Sequence, residues 1–225
     1  MPINPNAAIE VTAFAWVPEG PRGLVKDLRV RWALEEAGLD YRLRLIGGER
    51  PAGYLNDQPF NQVPCLRDDT VHMFESGAIV QYIGEKSEAL LPRDPQGRYA
   101  AIQWSYAAVN SIEPFVQHRV LLDSFWADQD WAEPSKPTAD ALARLRLEQL
   151  SERLGDKQWL EGDRFTIGDL MMITVLRLAD RGRLLTDKPI LAAYVKRGEA
   201  RPAFQRALDD QLAAFREHEP EGVAA

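Results

Sequence analysis

Glu75-Ser76 stands at the head of a helical stretch running from Ser76 to Lys86. A helix that opens on serine gathers free N–H groups, a positive dipole end and a hydroxyl in one place, which suits a carboxylate. On the residues alone, an ordinary helix cap is the first reading of Ser76, with the carboxylate site as the alternative. Upstream lies Val63-Pro64, an X–Pro step whose ordinary reading is a trans proline at a strand edge. Further on, Tyr106, Asn110, Glu113 and Gln117 follow one another at helical spacing, which puts four polar groups on one face. Ile102, Val109, Ile112, Val116 and Val120 make a separate apolar stripe. By itself the polar stripe reads as a solvated face. Pro114 should bend this helix, because it removes one internal hydrogen bond.

Other candidates are structural or absent. Cys65, the single cysteine, could be a redox thiol, but inward burial on a strand is the simpler reading. One cysteine forbids an internal disulfide and any CxxC motif. His72, His118 and His218 lack metal-ligand spacing, so no metal is expected. In Phe165-Thr166-Ile-Gly-Asp169-Leu170, Thr166 and Asp169 form a capping box, with Phe165 placed to staple onto Leu170.

The elements that must position these groups fall into two halves. Ile9 to Ala15 reads as a strand, Leu24 to Ala37 as a helix stopped by Gly38, and Tyr41 to Ile46 alternates with period two. That is a βαβ unit with a parallel pair. Val63 to Leu66 and Val71 to Phe74 then form an antiparallel hairpin, followed by the helix from Ser76. Residues 1–90 thus predict an α/β domain and 91–97, rich in proline and glycine, a linker. Residues 98–225 predict an all-α domain, with helices over 98–125, 138–155, 167–181, 190–199 and 202–217.

Composition narrows the classes. The 225 residues are 45% apolar and 27% charged, which suffices for a packed core. The net charge of −7 is spread over both halves and leaves no basic patch, so nucleic acid is not expected as a partner. No apolar run reaches the ~20 residues of a membrane span. The start, Met1-Pro-Ile-Asn-Pro-Asn6, lacks the pattern of a signal peptide, and the expected location is the cytoplasm.

Taken together, Asn61-Gln-Val-Pro-Cys-Leu66, Phe74-Glu-Ser-Gly-Ala-Ile79, Tyr54-Leu55 before Pro59-Phe60, Val30 to Gly38 and the capping box resemble the soluble glutathione transferase superfamily, with zeta-like features. The resemblance covers nearly the whole chain, to about Phe215. It implies a thioredoxin-like domain, βαβ followed by ββα, joined to an all-α domain, with glutathione as co-substrate and a homodimer as the assembly. It implies a cis Val63-Pro64 bond that lets the Val63 backbone pair with the cysteinyl part of glutathione like an added strand. It places the γ-glutamyl carboxylate at Ser76, the ammonium at Glu75, and further contacts at Gln62, Glu113 and Gln117. Trp16, Tyr106 and Asn110 are expected to line the pocket for an apolar electrophile.

One departure lies at the chemical centre. Family members place Tyr, Ser or Cys near the start of the first helix, against the glutathione sulfur. Aligned on Arg29-Val30-Arg31, this chain has Leu24 and Lys26 at the serine and cysteine positions, and no Ser, Thr, Cys or Tyr occurs from Phe14 to Leu28. Thiolate activation would then fall to backbone N–H groups near Leu24 and Val25, with Lys26 or Arg22 assisting. The expected function is conjugation of the glutathione thiolate to an electrophilic small molecule. The alternatives are a ligand-binding protein without turnover and an interaction protein of the bacterial stringent-starvation type.

Overall fold

The computed structural model describes residues 3–220. Strand β1 (Ile9–Phe14) leads through helix α1 (Asp27–Ala37) to strand β2 (Tyr41–Ile46). β1 and β2 run parallel, with Ile9 opposite Tyr41 and Phe14 opposite Ile46. α1 stops where Gly38 takes φ 65°, a left-handed conformation that costs glycine least, and Leu39 N–H then donates to Leu34 O. After a single turn of helix, α2 (Tyr54–Asp57), come β3 (Cys65–Arg67) and β4 (His72–Phe74), paired antiparallel. The sheet order is β2-β1-β3-β4, and α3 (Ser76–Lys86) follows. This is the expected thioredoxin-like arrangement.

The residue contacts divide the chain into two compact units. One runs to Leu90 and is joined by the chain from Arg201 onward; the other is Leu91–Ala200. The sequence division differs here, since it left everything after 98 in one helical domain. The last helix, α9 (Pro202–Glu217), goes with the first unit because its partners are on α1. Phe204 meets Trp32 edge to face at 4.9 Å. Arg201 grips Glu36 at 2.5 and 2.8 Å, Arg206 reaches Glu35 at 2.6 Å, and Gln211 donates to Asp27 at 2.8 Å. With β1, α3 and α9 all packed on it, α1 is buried along most of its length, Arg29, Arg31 and Glu35 included.

In the second unit, α4 (Pro95–Ala107) begins inside the stretch expected to be linker. Pro95 suits a first helical position, and Asp94 caps it by accepting from Gly97 N–H at 2.7 Å. A π-turn (Ala108–Ile112) separates α4 from α5 (Glu113–Leu121). Pro114 has no N–H to give, and the backbone widens just before it, with Glu113 N–H donating five residues back to Ala108 O. The expected bend is thus a π-turn, and it breaks the helical phase of the polar stripe. Tyr106 and Asn110 are exposed, Gln117 half-buried and Glu113 buried, so the four do not share one exposed face. Helix α6 (Ala132–Leu154) starts earlier than expected and runs through Pro134 and Pro137. Pro134 lies in the first turn, where N–H groups have no acceptor in the helix.

α7 (Ile167–Arg181) and α8 (Pro189–Glu199) complete this unit. The capping box forms: Thr166 Oγ1 accepts from Gly168 N–H, and Asp169 Oδ2 accepts from Thr166 N–H at 2.9 Å. Asp169 does more than cap, since its Oδ1 accepts from Leu160 N–H and from Tyr194 Oη, each at 2.8 Å. Trp159 packs edge-on against both Phe165 and Tyr194 above this carboxylate. Gly168 lets α4 and α7 touch, for a Cβ there would sit 2.6 Å from Trp104 Cβ. Among the described residues, no helix is long and apolar enough to cross a membrane, and no group of His, Cys, Asp and Glu could hold a metal ion.

Candidate functional site

A shallow depression, open to solvent, is lined by Lys26, Gln58, Gln62, Val63, Pro64, Glu75 and Ser76. All belong to the first unit. Its floor is the segment before β3. The Val63-Pro64 peptide is cis. Behind it, Tyr54, buried in α2, donates its hydroxyl to Gln62 O at 2.6 Å and fixes the approach to that bond. Buried Gln58 accepts from Phe60 N–H at 2.6 Å, which shapes the loop between α2 and Gln62.

The far wall is the start of α3. Glu75 holds φ 71°, ψ 109°, a region that L-residues rarely adopt and that costs ~1–3 kcal/mol. That turn leaves the Glu75 side chain exposed and sets Ser76 as the first helical residue. The capping reading of Ser76 gives way here. The cap position is Glu75, and no side chain caps this helix end. Buried Ser76 instead accepts from Arg29 Nη1 at 3.2 Å. A hydroxyl that accepts from a guanidinium has its own hydrogen left to donate. The helix end therefore offers backbone N–H groups, a donor hydroxyl and a cation behind it, with the Glu75 carboxylate beside it. That set matches a ligand bearing both a carboxylate and an ammonium group.

The third wall is Lys26, the residue just before α1. The helix begins at Asp27, so Leu24 and Val25 lie in a turn, where a helical start had been expected. Leu24 N–H already donates to Pro21 O at 2.9 Å, which corrects its reading as a free amide for the thiolate. The Val25 side chain packs into the apolar cluster of Ile46, Tyr54, Val63 and Cys65 beneath the site. Arg22 is also committed elsewhere: it pairs with Glu219 at 2.7 Å, donates to Val17 O at 3.2 Å and lies 5.9 Å from the half-buried Trp16 ring. Its charge is thus balanced, and neither Arg22 nor Trp16 lines the depression. Glu113, Gln117, Tyr106 and Asn110 belong to the second unit. Sequence reasoning did not single out Gln58 or Arg29. Each is marked only by tertiary contact, and no local pattern could have found them.

Cys65 is buried on β3, with Sγ 3.8 Å from Tyr54 Oη and 3.5 Å from Asp57 O. Burial pushes its thiol above the ordinary value. The thiolate fraction at neutral pH is correspondingly small, which fits a packing residue. A maleimide reagent is expected to label native protein slowly at pH 7, faster as pH rises, and completely only on unfolding. Rapid labelling of the folded protein at pH 7 would contradict the burial.

Comparison with known proteins gives the same assignment. The family described as "Glutathione S-transferase, N-terminal domain" matches residues 28–86, and "Glutathione S-transferase, C-terminal domain" matches residues 114–202. The stretch before residue 28, which carries Lys26, lies outside both. Glutathione S-transferase GstA of Escherichia coli O157:H7 is 33% identical over 78% of this chain and 89% of its own. The disulfide-bond oxidoreductase YfcG of E. coli K12 is 28% identical over 78% of this chain and 86% of its own. A glutathione transferase family member from Pseudomonas fluorescens Pf-5, solved with two glutathione molecules bound, superposes with a TM-score of 0.78 at 26% identity, covering 90% of this chain and 92% of that one. A cis proline before β3, a strained Glu75 leading into Ser76 and these matches in both halves agree: the chain belongs to the glutathione S-transferase family.

Proposed function

We propose that this protein is a glutathione transferase that binds glutathione in the depression of the first unit and passes its thiolate to an apolar electrophile. The observation that carries this reading is the gathering of Lys26, cis Val63-Pro64, Glu75 and Ser76 around one opening. The γ-glutamyl carboxylate accepts from Ser76 and the first N–H groups of α3, and its ammonium pairs with Glu75. The cysteinyl backbone runs beside Val63, which directs the sulfur toward the turn that ends in Lys26. There the ammonium of Lys26 stabilises the thiolate. In the reaction the sulfur lone pair forms the new S–C bond, the bond from that carbon to its leaving group breaks, and the leaving group departs with the electron pair. The protein works in the cytoplasm as a homodimer, and the exposed Leu55 and Phe60 of the first unit supply apolar surface for a second copy.

The test is the pH dependence of conjugation to chlorodinitrobenzene. A neighbouring cation lowers the thiol pKa, so its removal raises it. Lys26→Ala is therefore expected to cut the pH 7 rate ~3-fold, in proportion to a half-unit rise in thiol pKa, while the rates converge at high pH. Equal pH profiles in wild type and variant would remove Lys26 from the chemistry.

A second reading has its own support, the likeness to a disulfide-bond oxidoreductase and to relatives solved with two glutathione molecules bound. In that reaction one glutathione thiolate opens a small disulfide to a mixed disulfide and one thiol. A second thiolate then releases the other thiol and leaves oxidised glutathione. Buried Cys65 takes no part. Turnover of hydroxyethyl disulfide without conjugation of chlorodinitrobenzene would favour this reading.

A further inference from the structure

The turn that presents Lys26 carries its own backbone bonds, Arg22 N–H to Glu19 O at 3.0 Å and Leu24 N–H to Pro21 O at 2.9 Å, and it is also reached from a distant part of the chain. Between β1 and α1 the chain reads Trp16-Val-Pro-Glu-Gly-Pro-Arg-Gly23, which forms turns and bends, with Gly23 at φ 74°. Two contacts from the far end of the chain bracket it. On one side, Glu219, just past α9, holds the Arg22 guanidinium at 2.7 Å. On the other, Gln211 of α9, with no exposed surface, donates its Nε2 to Val25 O at 3.3 Å and to Asp27 Oδ1 at 2.8 Å. Both are acceptors, so the amide orientation of Gln211 follows from its partners. The second oxygen of Asp27 is taken by Arg31 Nε at 2.7 Å, which locks this buried carboxylate to α1. Gln211 thus ties the backbone of the turn and the first residue of α1 to a single side chain, one residue either side of Lys26.

We infer that α9 is the positioning element for the turn from Arg22 to Asp27, and that Gln211 and Glu219 hold Lys26 at the glutathione sulfur. The inference rests on the proposed role of Lys26 and extends it. An electrostatic contact falls off with distance and a mobile lysine is screened by water, so holding the backbone on both sides of Lys26 strengthens the effect of its cation. Gln211 and Glu219 are positioning residues, since neither lines the depression. The charged groups around the turn include Lys26, Arg22, Glu19 and Glu219, then Asp27 with Arg31 and Asp210, and Glu75 and Arg29 at the start of α3.

The test measures two quantities in the full chain: glutathione affinity by calorimetry, and the titration of the bound thiol by the ultraviolet absorbance of its thiolate. Gln211→Met keeps length and volume but gives no hydrogen bond. It is expected to leave affinity within about two-fold and raise the thiol titration midpoint by less than Lys26→Ala does, with a neutral-pH conjugation rate about two-fold lower that recovers at high pH. Glu219→Gln, at the surface, should move the midpoint the same way by less, and it serves if Gln211→Met does not fold. Unmoved midpoints in both variants, or a rate loss equal at all pH values, overturn the inference. Lys26→Ala separates the two levels. If it moves the midpoint and the α9 variants do not, the clamp is wrong and the thiolate assignment stands; if Lys26→Ala does not move it, both fall.

Discussion

Ser76→Ala is expected to weaken glutathione binding ten-fold or more, read by calorimetric titration. The hydroxyl accepts from Arg29 Nη1 at 3.2 Å, so its hydrogen is free for the carboxylate of the ligand. A hydrogen bond to a charged group contributes ~1.5–3 kcal/mol, and 1.4 kcal/mol is a factor of ten in affinity. The loss should exceed that of one contact, because the alanine also removes one acceptor from buried Arg29. Ser76→Thr keeps the hydroxyl and should retain most of the affinity if the β-methyl is accommodated. An unchanged affinity in Ser76→Ala would mean that the tripeptide carboxylate does not sit at the start of α3.

Asp169→Ala should produce the largest loss of stability. The fully buried carboxylate accepts from Leu160 N–H, Thr166 N–H, Tyr194 Oη and Thr166 Oγ1. Deleting it leaves several donors without a partner in the interior of the second unit, each costing ~1–3 kcal/mol. Partial relaxation brings the total to about 4 kcal/mol, or a Tm about 10 °C lower in a thermal scan. The pH dependence has a defined sign. Burial pushes the Asp169 carboxyl above its ordinary value, and the surrounding donors pull it back. A group with a raised folded pKa keeps its contribution below the unfolded pKa and loses it as pH rises through the folded value. Asp169 therefore does not drive acid unfolding, and the gap between wild type and variant should widen in mild acid. A Tm within a degree or two of wild type would show that the second unit does not depend on this network.

What could be read from the residues was whatever is written locally. The capping box placed the start of α7 at Ile167, Gly38 placed the end of α1, and the alternation of Tyr41 to Ile46 placed β2. The motifs Val63-Pro64 and Glu75-Ser76 could be singled out for the same reason, since each concerns neighbouring residues, and they line one depression. Errors arose where distant partners or helix geometry decided. Leu24 to Lys26 have types that a helix accepts, yet the preceding prolines and glycines and the tethers to Glu219 and Gln211 keep them in a turn. The polar stripe assumed an unbroken helix, which the π-turn ahead of Pro114 denies. Arg29 meets Ser76 across 47 positions and Gln211 meets Asp27 across 184, separations at which no pattern in the chain connects them. The fold was therefore more legible than the chemistry, because its signals are local and the positioning contacts are not.

The division of the chain also fixes an order of events during synthesis. The second unit, Leu91–Ala200, is continuous, so all of its contacts are available once that stretch has left the ribosome. The first unit is made first but finished last. Until Arg201, Arg206 and Gln211 emerge, Glu36, Glu35 and Asp27 lack the partners that α9 brings, and Trp32 lacks Phe204. The nascent thioredoxin-like portion must wait in an incomplete state while more than a hundred residues are added, with a large aromatic and several charges of α1 uncovered. A chain interrupted before Arg201 would carry a finished helical unit and a first unit without its last helix. For this topology, completeness of the polypeptide is itself a condition for the site to be built.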